Sequence, residues 1–134
     1  MSAPIVQSRL GAAFAEAFAA KDFEGVVALL HPEVDFRGLT PRRAWEASSA
    51  RALVDDVLRS WLDDSDVVEE VLEVQTGTVA DTERVGYRLR GHNEDGPFIV
   101  EQQAYLRERD GRIGWLRVVC SGMRPAGEGD TSSA

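Results

Sequence analysis

The residues able to move protons or attack bonds are few and widely spaced. The chain has one cysteine, Cys120, and two histidines, His31 and His92, with no spacing that proposes a catalytic triad. So small a Cys and His supply argues against a dedicated metal site, and no cofactor is expected. A carboxylate is the stronger candidate. In the segment opening at Pro97, alternation puts Ile99, Glu101, Gln103 and Tyr105 on one strand face and Phe98, Val100, Gln102, Ala104 and Leu106 on the other. If the first face borders an enclosed space, burial disfavours the charged form of Glu101 and suits it to general acid/base work, with Gln103, Tyr87 or Tyr105 orienting the reacting molecule. The competing arrangement is an ion pair with Arg37 or Arg88, or a wet rim.

Cys120 shares strand parity with Leu116 and Val118 and so is expected to point inward. With no base or cation beside it in sequence, it reads as a packing thiol at a pocket wall rather than a nucleophile. Arg37, Arg42 and Arg43 gather positive charge that suits a ligand carboxylate or phosphate, against surface pairing with Glu33, Asp35 and Glu46. Trp45, Trp61 and Tyr87 are either core or the walls of a pocket for a flat, largely apolar ligand. His31 is expected to end a helix and bond its last carbonyls, and His92 to lie in a solvated hairpin loop.

Periodicity supplies the elements that must position these groups. Leu10, Phe14, Ala17 and Phe18 share one face of a helix over residues 7–20. Asp22 caps a second helix with the stripe Phe23, Val26, Val27 and Leu30, which Pro32 ends. Val34 to Arg37 alternates as a short strand. Thr40-Pro41 signals the start of a third helix running to about Leu62, with Trp45, Ser49, Leu53, Val57 and Trp61 recurring on one face. Four strands follow, Val67 to Val79, Arg84 to Gly91, Pro97 to Arg109 and Arg112 to Gly122, joined by connections short enough for an antiparallel meander. The expected fold class is α+β: three N-terminal helices packed on a curved antiparallel sheet, enclosing one pocket.

Composition narrows the partners. A length of 134 residues fits one domain, taken as residues 1–125, with a disordered tail over 126–134. The formal net charge of -8 opposes binding to nucleic acid. No stretch is apolar enough to span a membrane, and the N-terminus lacks the pattern of a signal peptide, so a cytoplasmic location is the expectation.

The element order over residues 7 to 124 resembles the nuclear transport factor 2-like superfamily, specifically its SnoaL-like branch. The residues carrying the likeness are Asp22-Phe23-Glu24, His31-Pro32-Glu33-Val34 and the run from Phe36 to Glu46. Two further segments, Val100 to Tyr105 and Cys120 to Pro125, are similar to a bacterial SnoaL-like subgroup. The resemblance implies a cone-shaped, cystatin-like roll with its mouth near the helices, and a homodimer through the outer sheet face. Ketosteroid isomerase-like members of the superfamily use a tyrosine, an aspartate and a later acid; here Phe14 and Gly38 stand at the first two positions. The third falls on Glu101 counting from Pro97 and on Gln103 counting from Gly111.

Three functions fit this reading. The first is a cofactor-free lyase, isomerase or hydrolase that uses Glu101 on a small hydrophobic molecule. The second is a non-catalytic small-molecule binding protein. The third is a dimeric interaction module with a filled interior.

Overall fold

A computed structural model of the chain describes residues 3–126, with side chains from Leu10 onward. Helix α1 spans Ala3–Ala19 and α2 spans Phe23–Leu29. The Asp22 carboxylate caps α2 by accepting from the Gly25 N–H, as its position before an apolar stripe predicts. Phe14 and Phe18 stack with ring centroids 6.3 Å apart, and Phe18 meets Tyr87 at 6.4 Å. Full burial of such rings contributes roughly 1.5–3 kcal/mol each and holds α1 to the sheet. The bond from the Gly11 N–H to the buried Glu83 carboxylate, 2.9 Å, fixes the same contact.

Strand β1, Leu30–Thr40, begins directly after α2 and is longer than the short strand expected. A register irregularity between Leu30 and Asp35 takes up His31-Pro32-Glu33, because proline cannot donate to a ladder. His31 therefore ends no helix. Its Nδ1 accepts from the Glu33 N–H, and its Nε2 lies 3.5 Å from Asp110.

The largest departure from expectation follows. Thr40-Pro41 starts a hairpin rather than a helix: Arg42 adopts φ 73°, and β2, Arg43–Ala47, folds back on β1 with Thr40 opposite Arg43. Local start signals yield here to strand pairing. Ser49 caps the third helix instead, accepting from the Ala52 N–H. That helix, α3, is one helical stretch in three parts: Ala50–Ala52, a π-helical turn Leu53–Leu58, and Arg59–Trp61. Leu53, Val54, Val57 and Leu58 are buried, so the widened turn still presents one apolar face.

The remaining strands are β3 Val67–Val79, β4 Thr82–Asn93, β5 Gly96–Arg109, β6 Arg112–Cys120 and β7 Arg124–Pro125. β3 to β6 form the expected antiparallel meander, and β1 joins it alongside β6 in parallel, giving the order β2-β1-β6-β5-β4-β3 with β7 on β5. The sheet is therefore mixed rather than wholly antiparallel. Three helices lie against its inner, curved face, as the fold class requires. The core gathers where α1, α2 and α3 meet the inward residues Val34, Phe36, Val85, Tyr87, Leu89 and Leu116. No helix among the described residues is long and apolar enough to cross a membrane. Most of the expected tail, residues 127–134, lies outside the described residues.

Candidate functional site

Three adjacent strands bring together a buried polar chain. Tyr87 on β4 is opposite Gln102 on β5, and Gln102 is opposite Cys120 on β6, so all three point inward together. The Tyr87 hydroxyl donates to the Gln102 side-chain oxygen at 2.5 Å, and the Gln102 amide nitrogen donates to the Cys120 sulfur at 3.2 Å. The Gly122 N–H donates to the same sulfur at 3.4 Å. Burial first, and then the neighbouring Cys120, push the Tyr87 phenol well above its ordinary value. It is a fixed neutral donor.

Beside this chain is a cavity of about 70 Å³. Phe18 of α1, Trp61 at the end of α3, Thr40 of β1, and Gln102, Cys120 and Met123 bound it. Its walls are mainly apolar, and no carboxylate or imidazole is among the residues that line it. Trp61 supplies the one unsatisfied group: its Nε1 is the only buried side-chain N or O without a hydrogen-bond partner among the described residues. Leaving such a donor unpaired costs about 1–3 kcal/mol. Lys21 and Asp66 brace the adjoining loop. The Lys21 ammonium donates to the Asp63 and Asp66 carbonyls, while the buried Asp66 carboxylate accepts from the Asp63 N–H and from Asn93. Asn93 in turn contacts the Met123 sulfur at 3.7 Å, close to the cavity wall.

The structure corrects the expected direction of β5. Glu101 is exposed on the outer face, where its own N–H is held by the Ser121 hydroxyl, and the inward residue is Gln102. The expected facing thus fails by one residue. Ile99, on the same face as Glu101, is buried yet lies outside the core cluster that holds Phe98 and Val100. Both faces near Pro97 are therefore covered, and apolar alternation gives no direction there. Arg88 lies opposite Glu101, although its ion-pair partner is Glu73 at 3.8 Å.

Other candidates divide between the two faces. Tyr87, Cys120 and Trp61 gather at the inner site, while Gln103 and Tyr105 project outward with Glu101. Trp45 sits on β2 rather than on a helix face shared with Trp61. The two rings nevertheless meet edge to face at 6.0 Å, and the Trp45 indole donates to the Thr40 hydroxyl. The Arg43 guanidinium lies 3.5 Å from the Trp45 ring centroid, a cation–π contact. Arg37 is exposed on the outer face of β1; Glu33 and Asp35, its expected competitors, pair with Arg109 and Arg117 instead. His92 lies within β4, opposite Pro97, rather than occupying a loop, and meets Glu69 at 3.0 Å.

Phe14 is core, and the space a side chain at Gly38 would need is taken by Phe36 and Trp61. Gln102 escaped the sequence reading because the loop before β5 reads as five residues. It is a two-residue turn at Glu94-Asp95, with Asn93 opposite Gly96. Counting back from that pair places Gln102 opposite Tyr87, on the inward face of the cleanly alternating β4.

No family model and no curated protein matches the sequence. Solved structures do. An LEH-like epoxide hydrolase from M. tuberculosis superposes with a TM-score of 0.65 at 17% identity, covering 87% of this chain and 84% of that one. A protein from Catenulispora acidiphila with a ketosteroid isomerase-like fold, solved in complex with trimethylamine, gives 0.62 at 17% identity over 84% and 85%. An NTF2-like protein from Burkholderia thailandensis gives 0.61 at 18% identity over 85% and 89%. Helices, mixed sheet and inward-facing strands thus share one arrangement with these proteins, and the chain has the nuclear transport factor 2-like fold.

Proposed function

We propose that this chain is a small-molecule binding protein whose ligand occupies the cavity between Trp61, Gln102 and Cys120. The observation that carries the reading is Trp61, whose side chain borders a mainly apolar space and whose buried N–H has no acceptor. Tyr87, Gln102 and Cys120 are already bonded to one another, so the indole N–H, which is buried and has no acceptor, is the donor that a turn of the Trp61 ring offers a guest. The ligand is compact, apolar in its body, and carries one hydrogen-bond acceptor. At about 70 Å³ the cavity is well below the roughly 300–1,000 Å³ of sites for drug-sized molecules. A ligand of the size class of the trimethylamine held by the Catenulispora acidiphila protein suits that space.

The same features favour binding over the acid/base reading. An amide, a thiol, a hydroxyl and an indole orient a molecule, and the carboxylate expected to move a proton lies on the other side of the sheet. The M. tuberculosis epoxide hydrolase shows that the fold accommodates enzymes, but the transfer of an activity needs a site as well as a fold.

The test is a titration of the nitrogen-15-labelled chain with acetone, followed at the indole N–H resonances. A saturable shift of the Trp61 signal, lost when Cys120→Leu fills the cavity in a folded protein, supports the proposal. A shift that rises linearly without saturating, or that survives both Cys120→Leu and the milder Val100→Ile, overturns it.

A further inference from the structure

The outer face of the sheet carries a second, larger concavity with chemistry of its own. It is a groove of about 350 Å³ over β1, β2 and β6, bordered by Arg37, Leu39, Trp45, Tyr105, Arg117 and Val119. This volume is within the range of small-molecule sites and about five times that of the inner cavity.

Its charge arrangement is unusual for the chain. Arg37 and Arg117 are direct neighbours on the parallel strands β1 and β6, in a protein whose formal net charge is -8. Like charges placed opposite one another destabilise a sheet unless an anion lies between or above them. Arg117 is partly satisfied, since its Nη1 meets the Asp35 carboxylate at 3.3 Å and the Asp35 and Leu116 carbonyls. Arg37 makes no ion pair or side-chain hydrogen bond among the described residues. Glu46, opposite Arg37 on β2, is the carboxylate on the groove wall, yet no nitrogen of Arg37 lies within 4.0 Å of it. The guanidinium fork is left open.

Two residues further along each strand, Leu39 and Val119 pair directly and are 54% and 52% exposed. At about 3.3 Å per residue, this apolar step begins some 7 Å from the arginine pair. We infer that the groove is a binding site for a small amphipathic carboxylate, its head held by Arg37 and Arg117 and its apolar body lying across Leu39 and Val119. A planar guanidinium pairs with a carboxylate through two parallel bonds, which matches this head better than a point charge would. The site is separate from the inner cavity, since no residue lines both.

Octanoate is the probe, with 1-octanol as its uncharged counterpart, both titrated by calorimetry and by amide shifts. Octanoate is expected to bind one to one and to perturb Leu39 and Val119. Octanol should bind at least about tenfold more weakly, and Arg37→Gln should weaken octanoate by about tenfold or more, the scale of losing one charge-assisted contact. Leu39→Ser should weaken both probes. Octanoate that fails to saturate, that is indifferent to Arg37→Gln, or that perturbs Trp61 and Cys120 instead overturns the inference. So does a dimer in sedimentation that buries Leu39 and Val119 and excludes octanoate.

Discussion

The Tyr87 hydroxyl and the Gln102 side-chain oxygen meet across the β4–β5 pair, both residues almost wholly buried, and this contact sets which face of β5 looks inward. An amide placed in an apolar interior is tolerated because both its ends are used, the oxygen by Tyr87 and the nitrogen by the Cys120 sulfur. The same bond makes the pair vulnerable.

Tyr87→Phe removes the donor and keeps the ring. Gln102 then has an oxygen without a partner in a dry site, a loss of about 1–3 kcal/mol. Thermal unfolding should show a midpoint lower by about 4–11 °C for a chain of this size. An unchanged midpoint would mean that water reaches the Gln102 oxygen and that the interior is not dry.

Glu101→Gln tests the corrected direction of the strand. The exposed side chain has no bonded partner among the described residues, so stability should change by less than about 0.5 kcal/mol, and the acetone response at Trp61 should be unaltered. Gln102→Glu, one residue on, puts a charge where the amide was, and should destabilise by about 2 kcal/mol or more at neutral pH. Equal effects of the two substitutions would restore the sequence reading that turns Glu101 inward.

That reading shows what a sequence of this kind exposes. Four meander strands, the Asp22 cap and the two-helix start are legible because each rests on a local period or a cap. The facing of β5 is not, since Phe98, Ile99 and Val100 are all buried and give no alternation to follow. A register irregularity between Arg107 and Glu108 then shifts any count made from Gly111. The better ruler was β4, where Arg84, Arg88 and Arg90 alternate with Val85, Tyr87 and Leu89. The hairpin at Pro41-Arg42 was hidden for a different reason: Thr-Pro favours a helix start locally, but pairing of Arg43–Ala47 with β1 outweighs it. Trp61 was named from its type, while its lack of an acceptor depends on three elements meeting.

Glu83 links pH to stability. Burial raises its carboxyl above the ordinary 4.5, opposed by the bond from the Gly11 N–H and reinforced by Glu108. A group raised in the folded state binds its proton more tightly there than in the unfolded chain. Its contribution is therefore fully present below 4.5 and is lost as pH rises through the folded value. Glu83→Gln keeps an acceptor for Gly11 without the charge. It should match the parent near about pH 4 and exceed it near about pH 7.5, read from urea midpoints. A variant less stable than the parent at the higher pH would show that the ionised carboxylate is favoured by its surroundings.

Gly38 and Trp61 should be coupled. A Cβ on Gly38 would lie 2.7 Å from the Phe36 ring and 3.1 Å from the Trp61 ring, so the constraint is side-chain space. Gly38→Ala should cost about 1–3 kcal/mol through overpacking, because the two rings press on each other with centroids 6.2 Å apart. Trp61→Leu removes the bulk and the unsatisfied N–H together, and in that background the added methyl should be better accommodated. A double-mutant cycle is expected to give a coupling of about 0.5–2 kcal/mol in favour of the pair. Additive losses would mean that Phe36 alone fills the space over Gly38, and that Trp61 is free to turn its indole toward a guest without disturbing β1.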